Sequence, residues 1–132
     1  MTTPTSALIV DDEPHVRVYL RLLLVDLGVQ TFWEAGDGQT ALAAVAENSP
    51  ELVVLDLNLP LIGGLEVLQH LTETRPEIPV VVVSSQTAAS TVVECERRGA
   101  VGYVIKHSPR PVAMAALREA LDGLGAEDSE VG

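Results

Sequence analysis

Apolar and polar positions follow two periods along this chain. Four short apolar runs, Ala7-Leu8-Ile9-Val10, Leu52-Val53-Val54-Leu55, Val80-Val81-Val82-Val83 and Gly102-Tyr103-Val104-Ile105, each stop at a polar or charged residue. Runs of this length without alternation read as strands buried on both faces, as in a parallel sheet. A weaker strand is expected at residues 30–34. Between the runs the apolar spacing becomes helical. A helix is expected from Pro14, a good first-turn residue, with Val16, Leu20, Leu23, Leu24 and Leu27 on one stripe and Gly28 as its stop. Further helices are expected over residues 38–47, over a segment carrying Leu65, Leu68 and Leu71, and over residues 109–121. For the fourth helix, Thr91-Val92-Val93-Glu94 fits a capping box, so its start is placed at Thr91 rather than near Thr87, and Gly99 ends it. Five alternating strand–helix units imply a parallel sheet with helices on both faces.

In such a sheet, ligands sit beyond the carboxyl ends of the strands. The runs deliver Asp11 and Asp12, Asp56, Ser84 and Lys106 to that edge. Lys106 is the only lysine among 132 residues. Acids converging with one cation point to a divalent metal and a phosphoryl group. Asp11, Asp12 and Asp56 are the candidate metal ligands.

Composition narrows the class. At 132 residues the chain is one domain, and 47% hydrophobic residues suffice for a sizeable core. Only Tyr19, Phe32, Trp33 and Tyr103 are aromatic, so the core is aliphatic. A net charge of −11 argues against direct nucleic-acid binding, which needs a basic face. The single cysteine, Cys95, forms no internal disulfide and suits a reducing cytosol. No stretch has the length of a membrane span, and the first residues carry no signal-peptide pattern. A cytoplasmic protein without membrane contact is the expectation. Residues 1–6 are expected to be a flexible leader, 7–123 the folded domain, and 124–132 an acidic tail or truncated linker.

With these residues in place, the chain resembles the receiver domain of two-component response regulators, the CheY-like superfamily. The resemblance covers about Ala7 to Leu121. It rests on the pair Asp11-Asp12, on Asp56 with Pro60 and Gly64 after it, and on Ser84, Tyr103 and Lys106, in order and at family spacing. It implies a flavodoxin-like (βα)5 three-layer α/β sandwich with strand order 2-1-3-4-5. It implies a phosphoacceptor switch in which Asp56 takes a phosphoryl group from a histidine kinase or a histidine phosphotransfer protein. Mg²⁺ would be held by Asp11, Asp12, Asp56 and the backbone carbonyl of Asn58. Lys106 and Ser84 would contact the phosphoryl group, and Ser84 and Tyr103 would carry the change to the face formed by helix 4, strand 5 and helix 5. Asn58 and Gln86 would tune dephosphorylation. The output would be a downstream protein or an attached output domain, and a phosphorylation-dependent dimer is allowed. Such a domain is no enzyme beyond catalysing its own phosphorylation and dephosphorylation.

Two departures stand out. The family lysine is usually followed by a proline, whereas here the order is Lys106-His107-Ser108-Pro109, an absence shared with receivers attached to LuxR-type DNA-binding domains. The segment Gly99-Ala100-Val101-Gly102-Tyr103 also lacks the acid that OmpR-type receivers use in their dimer. The competing readings are a haloacid-dehalogenase-like phosphatase, disfavoured because Asn58 stands where those enzymes place a second acid, and a receiver-shaped module that works without phosphate.

Overall fold

The computed structural model describes residues 3–131, with side chains described through Gly123. In chain order the elements are β1 (Ser6–Val10), α1 (Pro14–Asp26), β2 (Thr31–Ala35), α2 (Gly38–Asn48), β3 (Val53–Asp56), α3 (Gly64–Thr74), β4 (Val80–Ser84), α4 (Ala89–Arg97), β5 (Gly102–Ile105) and α5 (Arg110–Val131). All five strands are parallel, in the order β2-β1-β3-β4-β5. This is the doubly wound three-layer sandwich expected.

Alternation of side chains across the strands splits the core in two. Ala7, Ile9, Leu52, Val54, Val81 and Val83 face α1 and α5, where they meet Leu20, Leu23, Leu24 and Leu117. Leu8, Val10, Val53, Leu55, Val80 and Val82 face the other layer, where Ala41, Val45, Val67, Leu68, Leu71 and Cys95 cover them. Both sides of the central strands are therefore dry, which is why the runs lack a polar alternate. Each such leucine contributes about 1.5–3 kcal/mol by leaving water.

Element ends differ from expectation where local hydrogen bonds decide them. Strand β1 starts at Ser6, because Thr5 is already tied down: its N–H donates to Glu51 Oε1 at 2.8 Å. Met1 and Thr2 of the expected leader lie outside the described residues. Strand β2 begins at Thr31, since the Gln30 and Thr31 N–H groups both donate to the Thr5 carbonyl, at 2.9 and 3.0 Å. The capping box at Thr91 does not form. Helix α4 starts two residues earlier, with Ala88 at the N-cap and no side-chain cap. The carboxylate of Glu94, which a capping box would turn back to the helix start, is held forward by Arg97 at 2.9 Å and Arg98 at 2.7 Å. Helix α5 does not stop at Leu121 but continues to Val131. A single exposed glycine such as Gly123 costs about 1 kcal/mol in a helix, too little to force an end. Of the expected tail, Gly132 lies outside the described residues.

Candidate functional site at the carboxyl edge of the sheet

The apolar runs end where the strands reach the carboxyl edge of the sheet. Asp11 follows β1, Asp56 is the last residue of β3, Ser84 the last of β4, and Lys106 follows β5. Asp11, Asp56 and Ser84 are the only polar or charged residues among those described that are buried as whole residues. Burying ionised groups is expensive unless they are paired. Lys106 supplies the pairing: its Nζ lies 3.0 Å from Asp11 Oδ2 and 3.1 Å from Asp56 Oδ2, and its side chain is only 7% exposed.

The backbone holds both acids in place. Asp11 Oδ1 accepts from the Glu13 N–H at 2.8 Å, and Asp56 Oδ1 accepts from the Asn58 N–H at 3.1 Å. Each carboxylate thus closes a small turn around itself, leaving its second oxygen for Lys106. Asp12 is exposed, yet one oxygen from each of Asp11, Asp12 and Asp56 comes within 4.8 Å of the others. Asp11 Oδ2 is fully buried, and although the ammonium is close, it accepts no well-aligned hydrogen bond. An under-satisfied buried carboxylate oxygen facing two further carboxylates fits a hard divalent cation, which takes oxygen ligands.

Electrostatics reflect this crowding. Burial pushes the Asp56 carboxyl above its ordinary value and the charge of Asp11 adds to the rise, while the Asn58 N–H and Lys106 oppose it. Burial disfavours the Lys106 ammonium, but the nearby carboxylates of Asp11 and Asp56 outweigh it and raise the lysine pKa.

The β4–α4 loop links the other two sequence-derived residues. Ser84 Oγ accepts from the Gln86 N–H at 3.1 Å, and Tyr103 Oη donates to the Gln86 carbonyl at 2.8 Å. One peptide segment therefore joins Ser84, at the acid cluster, to Tyr103 on β5. Asn58 and Gln86 lie in the two loops flanking the cluster and share the lining of a cavity of about 490 Å³ with Arg98. A second cavity of about 470 Å³ opens between α1 and β5, lined in part by His15, Tyr19, Val104, Lys106 and His107.

Close packing sets the loop between β3 and α3. A Cβ on Gly64 would lie 2.4 Å from Leu57 Cα and 2.5 Å from the Asp56 carbonyl oxygen, so only glycine lets α3 start against this loop. The Lys106–His107 peptide is trans, and His107 takes φ +64°, a left-handed conformation that turns the chain after the lysine.

Two residues at the site were not expected from sequence. Glu13 brings Oε1 to 3.4 Å from Lys106 Nζ. Arg17 donates from Nη1 to the Asp11 carbonyl at 2.5 Å and from Nε to Glu34 Oε1 at 2.7 Å, stitching the β1–α1 loop to the end of β2. A third acid directly after the Asp11-Asp12 pair was the visible signal for Glu13. For Arg17, nothing in the spacing pointed to a backbone carbonyl as partner. His15 is exposed and near Glu13, His107 is exposed beside the lysine, and His70 lies on α3, so the three histidines form no cluster.

Comparison with known proteins agrees with this geometry. A sequence profile described as the response regulator receiver domain matches residues 7–122. A putative transcriptional regulator of Pseudomonas aeruginosa is 34% identical over 119 residues, covering 90% of this chain and 58% of that protein. Chemotaxis protein CheY-3 of Vibrio cholerae is 33% identical over 117 residues, covering 87% of each. The crystal structure of a LuxR-family two-component response regulator from Aurantimonas sp. superposes with a TM-score of 0.81 at 30% identity, covering 92% of this chain and 87% of that one. The chain thus spans little more than half the length of the Pseudomonas relative. Among the described residues no helix is long and apolar enough to cross a membrane. With a profile match over nearly its whole length and a buried acid–lysine cluster at the expected sheet edge, the chain belongs to the response regulator receiver domain family of two-component systems.

Proposed function

We propose that this domain is a phosphoacceptor switch whose phosphorylated residue is Asp56. The observation that carries this reading is the placement of one buried lysine between two buried aspartates, with Asp11 Oδ2 lacking a well-aligned donor. A cluster built for stability alone gains little from such an arrangement, since a buried ion pair rarely offsets its own desolvation. Asp56 Oδ1 is fixed by the Asn58 N–H, and Oδ2, which Lys106 holds at rest, is the nucleophile in this reading. In the reaction Oδ2 attacks phosphorus, an O–P bond forms, and the donor's P–N bond breaks with its electron pair returning to the imidazole nitrogen. No oxidation or reduction occurs.

The donor would be a histidine kinase or a histidine phosphotransfer protein. Asp11, Asp12, Asp56 and the carbonyl of Asn58 would hold Mg²⁺, which when bound neutralises charge on the phosphoryl oxygens. Lys106 transfers its contact from Asp56 Oδ2 to a phosphoryl oxygen, and Ser84 donates its hydroxyl to another. Ser84 then breaks or reshapes its bond to the Gln86 N–H, and the change passes through the same peptide segment to Tyr103. Phosphorylation shifts an existing equilibrium of the α4–β5–α5 face and so its affinity for a downstream protein or an attached output domain. Asn58 and Gln86, flanking the site, set how easily water reaches the acyl phosphate.

Incubation with a small phosphodonor and Mg²⁺ should add one phosphoryl group, labile to base and to hydroxylamine. Asp56→Asn should abolish it. A reading as a phosphate-independent interaction module would gain if the wild-type domain stays unmodified.

A further inference from the structure

We propose that Glu13 is a positioning residue that competes with the phosphoryl group for Lys106, so that its carboxylate slows entry into the phosphorylated state and weakens it. This inference rests on Asp56 being the phosphoacceptor.

Glu13 occupies the N-cap of α1, a position that favours short side chains able to accept from the helix backbone. Its side chain makes no such bond. It reaches instead over the cluster, with Oε1 at 3.4 Å from Lys106 Nζ and Oε2 at 3.7 Å from His15 Nε2. The Glu13 backbone N–H, not its side chain, closes the turn around Asp11. The carboxylate is therefore dispensable for the helix start and for the Asp11 geometry. What it does contribute is a third negative charge on the only lysine in the chain.

Lys106 has three donor hydrogens and three carboxylates around it. Asp11 and Asp56 hold it from the buried side, and Glu13 holds it from the solvent side, where 45% of the glutamate side chain is exposed. An incoming phosphoryl group arrives from solvent, and its oxygens need the same ammonium. Glu13 must give up that contact, and until it does its charge repels the anionic donor. A glutamate rather than an aspartate suits this role, because the longer chain can swing clear without moving the backbone of the metal-binding loop.

The single lysine gives a direct readout. Protein labelled with ¹³C at lysine carries one Cε resonance, that of Lys106. In the metal-free protein, Glu13→Gln and Glu13→Ala should both shift this resonance, because the charge beside Nζ is gone. At saturating Mg²⁺, both variants should bind beryllofluoride, a phosphoryl mimic, about two- to fivefold more tightly, the size expected of a partly exposed ion pair. Phosphorylation by phosphoramidate should accelerate by a similar factor, and Glu13→Asp, which keeps the charge, should fall nearer to wild type than either. A solvated first-turn acid would move none of these. Wild type that is phosphorylated and binds beryllofluoride, with Glu13→Gln and Glu13→Ala unchanged in resonance, affinity and rate, overturns the role of Glu13 alone. Failure of wild type itself to take either group overturns the Asp56 reading and this inference with it.

Discussion

The stability linked to Asp56 and that linked to Lys106 both fall as pH rises, but in widely separated windows. The Asp56 carboxyl is raised above its ordinary value of 3.8, first by burial and then by Asp11. The folded state therefore holds that proton more tightly than the unfolded chain, and stability falls as pH rises through the window between the two values. At neutral pH its charge is a cost. Asp56→Asn should therefore raise the metal-free stability at neutral pH. Urea denaturation at pH 7 without metal checks this, and a less stable variant would mean that Asp56 is chiefly half of a stabilising pair. Lys106 is raised above its ordinary 10.5. Its contribution is fully present below that value and disappears only as pH climbs through the higher folded one, so no loss attributable to the lysine should be seen between pH 7 and 9. His107 offers a test of backbone rather than charge. At φ +64° it stands where proline, fixed near −65°, cannot follow. His107→Pro should cost about 1–3 kcal/mol or remodel the loop, whereas His107→Gly should be no worse than wild type. Equal stability of the two variants would show that the left-handed turn does not constrain this loop.

Elements were legible wherever burial dictated them. Three of the four apolar runs became strands dry on both faces, whereas β5, at the end of the sheet, keeps Gly102, Tyr103 and Ile105 partly exposed; the edge residues followed from where each run stopped. Ser84, Asp56 and Lys106 were readable for the same reason. What the chain did not disclose depends on which of several available partners a group takes. Thr91 and Glu94 have the spacing of a capping box, but Arg97 and Arg98 claim the glutamate. Thr91→Ala should consequently change stability by less than about 0.5 kcal/mol. Asp37, by contrast, caps α2 through Thr40 N at 2.8 Å, and its removal should cost more than that of Thr91 in the same denaturation series. Arg17 could not be foreseen at the site, because its acceptor is a backbone carbonyl that no sequence pattern marks. Gly64 was visible as a matching residue but its reason was not. The close approach to Leu57 means that Gly64→Ala should displace the loop carrying Asp56 and Asn58, costing about 1–3 kcal/mol and slowing phosphorylation. Unchanged kinetics in that variant would show that the loop yields without moving the carboxylate.

Across the whole molecule, charge is uneven in a way that suits a switch. The chain carries a net charge of −11, yet its one lysine is spent inside the acid cluster rather than on the surface. A cation or a phosphoryl group entering this edge changes the balance among Asp11, Asp56, Glu13 and Lys106 together. From there the Gln86 backbone, hydrogen-bonded to Ser84 through its N–H and to Tyr103 through its carbonyl, links the two side chains. The sheet that carries these residues has a dry core on each face. The chain spans 58% of the Pseudomonas regulator it matches and 87% of the Vibrio CheY-3. The most direct measurement is intact-mass spectrometry of the domain after exposure to phosphoramidate and Mg²⁺, with peptide mapping of the modified residue. One hydroxylamine-sensitive phosphoryl group on Asp56, absent in Asp56→Asn and absent without Mg²⁺, is the predicted result. No modification of wild type, or modification that persists in Asp56→Asn, would contradict a phosphoacceptor at this site.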